Sequence, residues 1–165
     1  MNGKLQISFV HHAISVENMD ESIKWYKAMF DAEIYFDKHS SEFGAPLHSR
    51  VVIMKADQVE FELFEYEGDD RQPVPEICRD STTDMRVCGN KHTCFNVDMK
   101  KFLFERVVPN NVYIDHGPER QGDNWQLFIR DPNGIQMEFY DIGGAARDPS
   151  AFDNFPCKLF KGDST

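Results

Sequence analysis

Apolar and polar positions along the chain fall into two stretches that repeat one order of elements. Over residues 5–16 the pattern alternates, with Val10, His12, Ile14 and Val16 on one face and Phe9, His11, Ala13 and Ser15 on the other, as in a strand. Asn18 is placed as an N-cap, and Glu21 three residues on completes a capping-box signature. Met19, Ile23, Tyr26 and Phe30 then recur at helical spacing, widened by Ser22, Trp25 and Met29, which predicts an amphipathic helix over about 19–31. Strands are predicted at about 33–37, 49–55 and 58–66, the last two joined by a turn at Lys55-Ala56-Asp57-Gln58. The first stretch therefore reads βαβββ.

From Gly68 to Asn90 the chain is polar, carries Pro73 and Pro75, and has no clear period, as expected of a linker. The order then recurs. Lys91–Val97 reads as a strand, Asp98 caps a short helix through Val107 or Val108, and Pro109-Asn110-Asn111 stops it. Strands are predicted at about 112–116, 125–130 and 135–141, with His116–Asp123, rich in His, Gly and Pro, as a loop. The result is an α+β chain with one domain over 1–142, built of modules at about 5–67 and 91–142 with a linker at 68–90. An irregular tail follows over 143–165.

Aligning the two stretches isolates four residues. With His11 set against His92, Ile14 falls on Phe95 and Val16 on Val97; with Glu62 set against Glu138, Phe61 falls on Met137, Leu63 on Phe139, Phe64 on Tyr140 and Glu65 on Asp141. Histidine and glutamate are 51 residues apart in the first stretch and 46 in the second. Strand alternation points all four away from the helix-packed face. Glu138 is the most telling, because a carboxylate inside the aromatic strand after Asp131-Pro132-Asn133-Gly134 is costly unless paired. Two imidazoles and two carboxylates facing one concavity form a donor set for Zn, Ni, Co, Mn or Fe in octahedral geometry, with positions left for water or substrate.

The chain has 165 residues, 41% hydrophobic with 14 Phe, which is ample for one compact core. A formal net charge of −10 argues against nucleic acid or an anionic membrane as the main partner, and no apolar run approaches the ~18 residues of a membrane span. Cys78, Cys88, Cys94 and Cys157 show no CxxC spacing and no signal peptide precedes them, so reduced thiols in a cytoplasmic protein are expected.

His11-His12-Ala13-Ile14-Ser15-Val16, the helix with Ser22 and Trp25-Tyr26, Glu62-Leu63-Phe64-Glu65, His92-Thr93-Cys94-Phe95-Asn96-Val97-Asp98, and Asp131-Pro132-Asn133-Gly134-Ile135-Gln136-Met137-Glu138 occur in this order. Over roughly residues 5–142 the chain thereby resembles the vicinal oxygen chelate superfamily, which includes glyoxalase I, methylmalonyl-CoA epimerase, extradiol dioxygenases and bleomycin resistance proteins. The resemblance implies two tandem βαβββ modules forming partly open barrel-like sheets around a shared metal cleft. It implies a divalent metal held by His11, Glu62, His92 and Glu138, with Glu138 or Glu62 as catalytic base. It implies a small-molecule substrate, and relatives build the site within one chain or across a swapped homodimer. The family's usual spacing to Ser22 selects His11 over His12.

Each residue has a plainer reading. Glu60 and Glu65 compete with Glu62, which would otherwise sit on a glutamate-rich edge strand facing water; Glu138 has Arg130 as a salt-bridge alternative. His39, His48 and His116 sit in polar stretches and are expected to be solvated, although His116 has the alternative of bordering the cleft. Among activities, the four-ligand set is most similar to glyoxalase I, a lyase or isomerase acting through an enediolate. Against that enzyme, the chain has Phe30-Asp31 where Leu-Gly or Met-Gly usually follows the helix, and His12 in place of a small aliphatic residue. An Fe(II) extradiol-type dioxygenase would use His11, His92 and Glu138; its signature tyrosine is replaced by Phe128 here. A drug-binding resistance protein would need no metal.

Overall fold

The computed structural model describes residues 8–44, 48–68, 71–72, 86–144, 148, 150–153 and 155. In chain order, the first module comprises β1 (His11–Ser15), α1 (Met19–Phe30), β2 (Glu33–His39), β3 (Ser49–Ala56) and β4 (Val59–Tyr66). The second comprises β5 (Thr93–Val97), α2 (Met99–Phe102, continued by π turns over Leu103–Val107), β6 (Ile114–Gln121), β7 (Asn124–Arg130) and β8 (Gln136–Asp141). Each module forms one open four-stranded sheet, with strand orders β1-β4-β3-β2 and β5-β8-β7-β6. The first and last strands of a module pair in parallel, and the remaining pairs are antiparallel.

Both modules use one device to join helix to sheet. Asn18 caps α1 by accepting from the Glu21 amide at 2.9 Å, and Asp98 caps α2 by accepting from the Lys101 amide at 3.0 Å. Glu65, at the end of β4, accepts the Met19 amide at 3.1 Å; Asp141, at the end of β8, accepts the Met99 amide at 3.0 Å. A carboxylate on an otherwise orphaned first-turn N–H satisfies a donor and complements the helix dipole. The repeat thus extends to the helix starts, and Glu65 is occupied there.

Alternation divides each sheet into a core face and an open face. Ile14, Phe61, Leu63, Met137 and Phe139 are buried, and Phe95 and Val97 pack on the same cluster. Phe30 of α1 bridges the modules, its ring centroid 4.9 Å from Phe61 and 6.1 Å from Phe139, while Phe61 meets Phe95 at 6.0 Å. One core therefore serves both sheets. The position after α1, where relatives are expected to carry glycine, is Asp31 with φ 53°, a left-handed conformation that Asp tolerates better than most residues. Its carboxylate takes the Arg106 guanidinium at 2.7 Å.

The turn before β8 is tied to the first module. Asp131 accepts the Asn133 amide at 2.9 Å and the Ile135 amide at 2.8 Å, and Gly134 supplies the positive φ of 80°. Asn133 in turn accepts the Glu17 amide at 2.7 Å and donates to Ser22 Oγ at 3.2 Å.

The structure corrects one predicted loop. Residues 116–121 are not a loop: β6 runs from Ile114 to Gln121, straight through Gly117 and Pro118, and only Gly122 and Asp123 turn. Two register shifts, φ 86° at Gly117 and a cis Gly117–Pro118 bond accommodate the proline in an edge strand, where its missing N–H costs no ladder bond. Of the predicted strand over 5–16, His11–Ser15 forms β1, and residues 1–7 lie outside the described residues. Most of the expected linker and tail also lies outside them. Within the tail, Phe152 is buried against Trp125 at 4.9 Å.

Candidate metal centre

β1 and β4 run in register so that Ala13 faces Glu62, with His11 one step earlier on the same face. β5 and β8 repeat this, with Cys94 opposite Glu138 and His92 just ahead of the strand. His11 Nε2 lies 3.4 Å from Glu62 Oε2, and His92 Nε2 lies 3.0 Å from Glu138 Oε2. Two donors at right angles around a cation ~2.1 Å away stand about 3.0 Å apart, so both pairs have the spacing of neighbouring metal ligands.

The pairs do not meet. Among the described residues no three His, Cys, Asp or Glu side chains are grouped to hold an ion. Both pairs project away from the common core. The chain thus presents two separate pairs of one imidazole and one carboxylate each.

The plainer partners are accounted for. β4 lies between β1 and β3 and is not an edge strand, Glu60 accepts the Tyr35 hydroxyl at 2.8 Å, and Arg130 is engaged by Asp115 at 3.0 Å and by the Gly134 carbonyl at 2.7 Å. His12 points into the module junction, where its Nδ1 meets Thr93 Oγ1 at 3.0 Å and its Nε2 is buried without a partner. Burial, aided by neighbouring His11, lowers its pKa, which keeps it neutral. His39 pairs with Glu67 at 3.6 Å. His116 pairs with Glu119 at 2.7 Å and stands beside Phe128, which is itself in register with Glu138, so His116 does border the open face of the second sheet.

The two pairs differ in their surroundings. The Glu138 side chain is 10% exposed and that of Glu62 22%; His92 is 23% exposed and His11 47%. His92 packs edge-on against Phe128 at 5.3 Å, and its Nδ1 is buried without a partner. Cys94 stands in register with Glu138, and partial burial, reinforced by that carboxylate, pushes the thiol pKa up to about 12. Cys94 is thus a thiol rather than a thiolate. Tyr140 stands on the same face, its hydroxyl donating to Gln121 at 2.9 Å and lying close enough to Glu138 for the carboxylate to raise the phenol pKa. Sequence reading assigned Cys94 only a reduced thiol. Its spacing of two residues from His92 was the available signal that it shares the face of Glu138.

A cavity of about 670 Å³ opens between β1 and the second module, lined by His12, Ser15, His92, Thr93, Asn133 and Gln136 among others. No helix among the described residues is long and apolar enough to cross a membrane.

No curated protein sequence gave a significant match. Among solved structures, a glyoxalase family protein from Enterococcus faecalis is similar with a TM-score of 0.62 at 17% identity, covering 81% of this chain and 96% of that one. The trypanothione-dependent glyoxalase I of Leishmania major is similar with a TM-score of 0.61 at 18% identity, covering 90% and 95%. The fosfomycin resistance protein FosX of Listeria monocytogenes, in a complex with Mn(II) and sulfate, is similar with a TM-score of 0.54 at 11% identity, covering 83% and 93%. At these identities the likeness is one of fold. The family model of the Glyoxalase/Bleomycin resistance protein/Dioxygenase superfamily matches residues 8–139, and the chain belongs to that superfamily.

Proposed function

We propose that this protein is a divalent-metal-dependent enzyme of glyoxalase type, a lyase or isomerase acting on a small molecule with two neighbouring oxygens. The observation that carries the reading is the His92–Glu138 contact at 3.0 Å, repeated in the first module by His11 and Glu62 at 3.4 Å. Similarity in fold to a Mn(II)-containing FosX supports a metal in this architecture. Because one chain groups its donors only in pairs, His11 and Glu62 of one copy would join His92 and Glu138 of a second, giving a homodimer with two sites.

His11, Glu62, His92 and Glu138 would hold the divalent ion, whose Lewis acidity would stabilise negative charge developing on the substrate. The chain's own residues supply the rest. One glutamate accepts the proton of the adjacent C–H bond and returns it to the neighbouring carbon. Phe64, Phe128 and Tyr140, on the same open faces, wall the reacting atoms from water.

Elemental analysis of the purified protein and of its His11→Ala, Glu62→Ala, His92→Ala and Glu138→Ala variants tests this directly. Loss of metal in all four supports the quartet. Loss in three with Glu62→Ala unaffected favours a three-ligand, dioxygenase-type site.

A further inference from the structure

Two cavities open along the junction of the modules, and their linings differ in sign. The first, of about 670 Å³, lies beside β1 and the start of β5, and His11, Glu62 and Glu138 are not among its lining residues. The second, of about 530 Å³, is walled by phenylalanines, with more carboxylates than cations around them. The charged groups lining the first are Arg71, Lys91 and Glu17. An excess of cations there runs against a chain whose net charge is −10.

β1 and β5 are edge strands of their sheets, and His12 Nδ1 meets Thr93 Oγ1 at 3.0 Å where they approach. Among the described residues, the buried side-chain polar atoms with no hydrogen-bond partner are His12 Nε2 and His92 Nδ1, and both imidazoles line the first cavity. A buried polar atom without a partner is costly, so two on one cavity point to an occupant that carries hydrogen-bonding groups. The Thr93 hydroxyl can donate or accept, so His12 Nε2 can take whichever role its partner requires. Arg71 is paired only loosely, with Glu17 at 3.5 Å and both side chains half-exposed. Val16 and Ile135 supply apolar wall.

We infer that this cavity is a binding site for a small organic acid, with its carboxylate on Arg71, its apolar body against Val16 and Ile135, and a polar atom meeting His12 Nε2. A guanidinium takes a carboxylate through two parallel hydrogen bonds, and the cavity has the volume of a small-molecule site. The inference does not depend on the metal-dependent reading above.

The probe is 3-phenylpropanoate, titrated into the full-length protein and followed by backbone N–H shifts in NMR, with 3-phenylpropanamide as its neutral counterpart. The acid should bind with a Kd of about 10 mM or tighter and shift the N–H signals of Ala13, Ser15 and Thr93. The neutral counterpart should bind at least about tenfold more weakly. Arg71→Gln, at an exposed position that the fold tolerates, should weaken the acid about tenfold. Lys101→Gln, on the rim of the second cavity, should leave its affinity unchanged. Failure of the acid to bind, equal binding of acid and neutral counterpart, or an unaffected Arg71→Gln variant would overturn the inference and leave the cavity to water. The titration is repeated with EDTA. Unchanged affinity supports the site, whereas affinity lost with the chelator would place the carboxylate on a bound metal, overturning the inference while supporting the metal-dependent reading.

Discussion

Tyr26 and Asp131 lie 105 residues apart in the chain and meet in the core, the phenol hydroxyl donating to the carboxylate at 3.2 Å. The contact fastens the first helix to the turn that aims β8, and so couples the first module to the strand that presents Glu138. Asp131 is buried, and its carboxylate also takes the amides of Asn133 and Ile135 and the Asn133 side chain. Tyr26→Phe leaves the ring packing intact and removes one donor, so it should cost about 1 to 2 kcal/mol in denaturant unfolding. A cost near zero would mean that the bond makes no net contribution.

Asp131 also makes a pH prediction. Burial raises its carboxyl pKa, and the hydrogen bonds from Asn133, Ile135 and Tyr26 only partly oppose this. A carboxyl whose folded pKa lies above its unfolded one stabilises the fold fully below the unfolded pKa and loses that contribution as pH rises through the folded pKa. Asp131→Asn, which does not titrate, should therefore cost more stability at about pH 4 than at about pH 7. Paired denaturant curves at the two pH values check the sign.

Two glycines with similar backbone angles should respond differently to alanine. At Gly117 (φ 86°) an added Cβ would fall 2.5 Å from the Gln126 carbonyl oxygen, whereas at Gly134 (φ 80°) it meets nothing within 4 Å. Gly134→Ala should cost only the left-handed penalty, about 1 to 2 kcal/mol. Gly117→Ala adds a backbone collision, should cost more, and should disturb the β6–β7 pairing. Equal losses in thermal unfolding would contradict this.

Metal binding should be visible as stability. A divalent ion held by the folded protein alone, at about a hundred times its Kd, adds about 2.7 kcal/mol. The melting temperature should rise on loading and fall on treatment with chelator, and His92→Ala should abolish both responses. The rise should also depend on protein concentration if the site is shared between copies.

Much of this was legible in the sequence because it followed from periodicity. Alternation placed His11, Glu62, His92 and Glu138 on the faces opposite Ile14, Leu63, Phe95 and Phe139, and spacing placed the helix of Met19 and Tyr26. Residues 116–121 were misread because a Gly-Pro pair reads as a loop when strand pairing is invisible; Gly117 and two register shifts let β6 continue. That the two histidine–glutamate pairs stand apart was not legible either. It depends on Phe30, Phe61, Phe95 and Phe139 joining in one core, a long-range packing outcome that no local pattern encodes.

The most direct measurement of the shared quartet uses two complementary double variants. One carries His11→Ala with Glu62→Ala, and the other carries His92→Ala with Glu138→Ala. Each alone lacks a complete ligand set and should bind no metal. Co-expressed with different tags and purified through both, the mixed dimer should hold about one metal ion per two chains, because one quartet is restored and the other is empty. A mixed dimer with no metal, or either double variant binding metal alone, would contradict a site built from His11, Glu62, His92 and Glu138 across two copies.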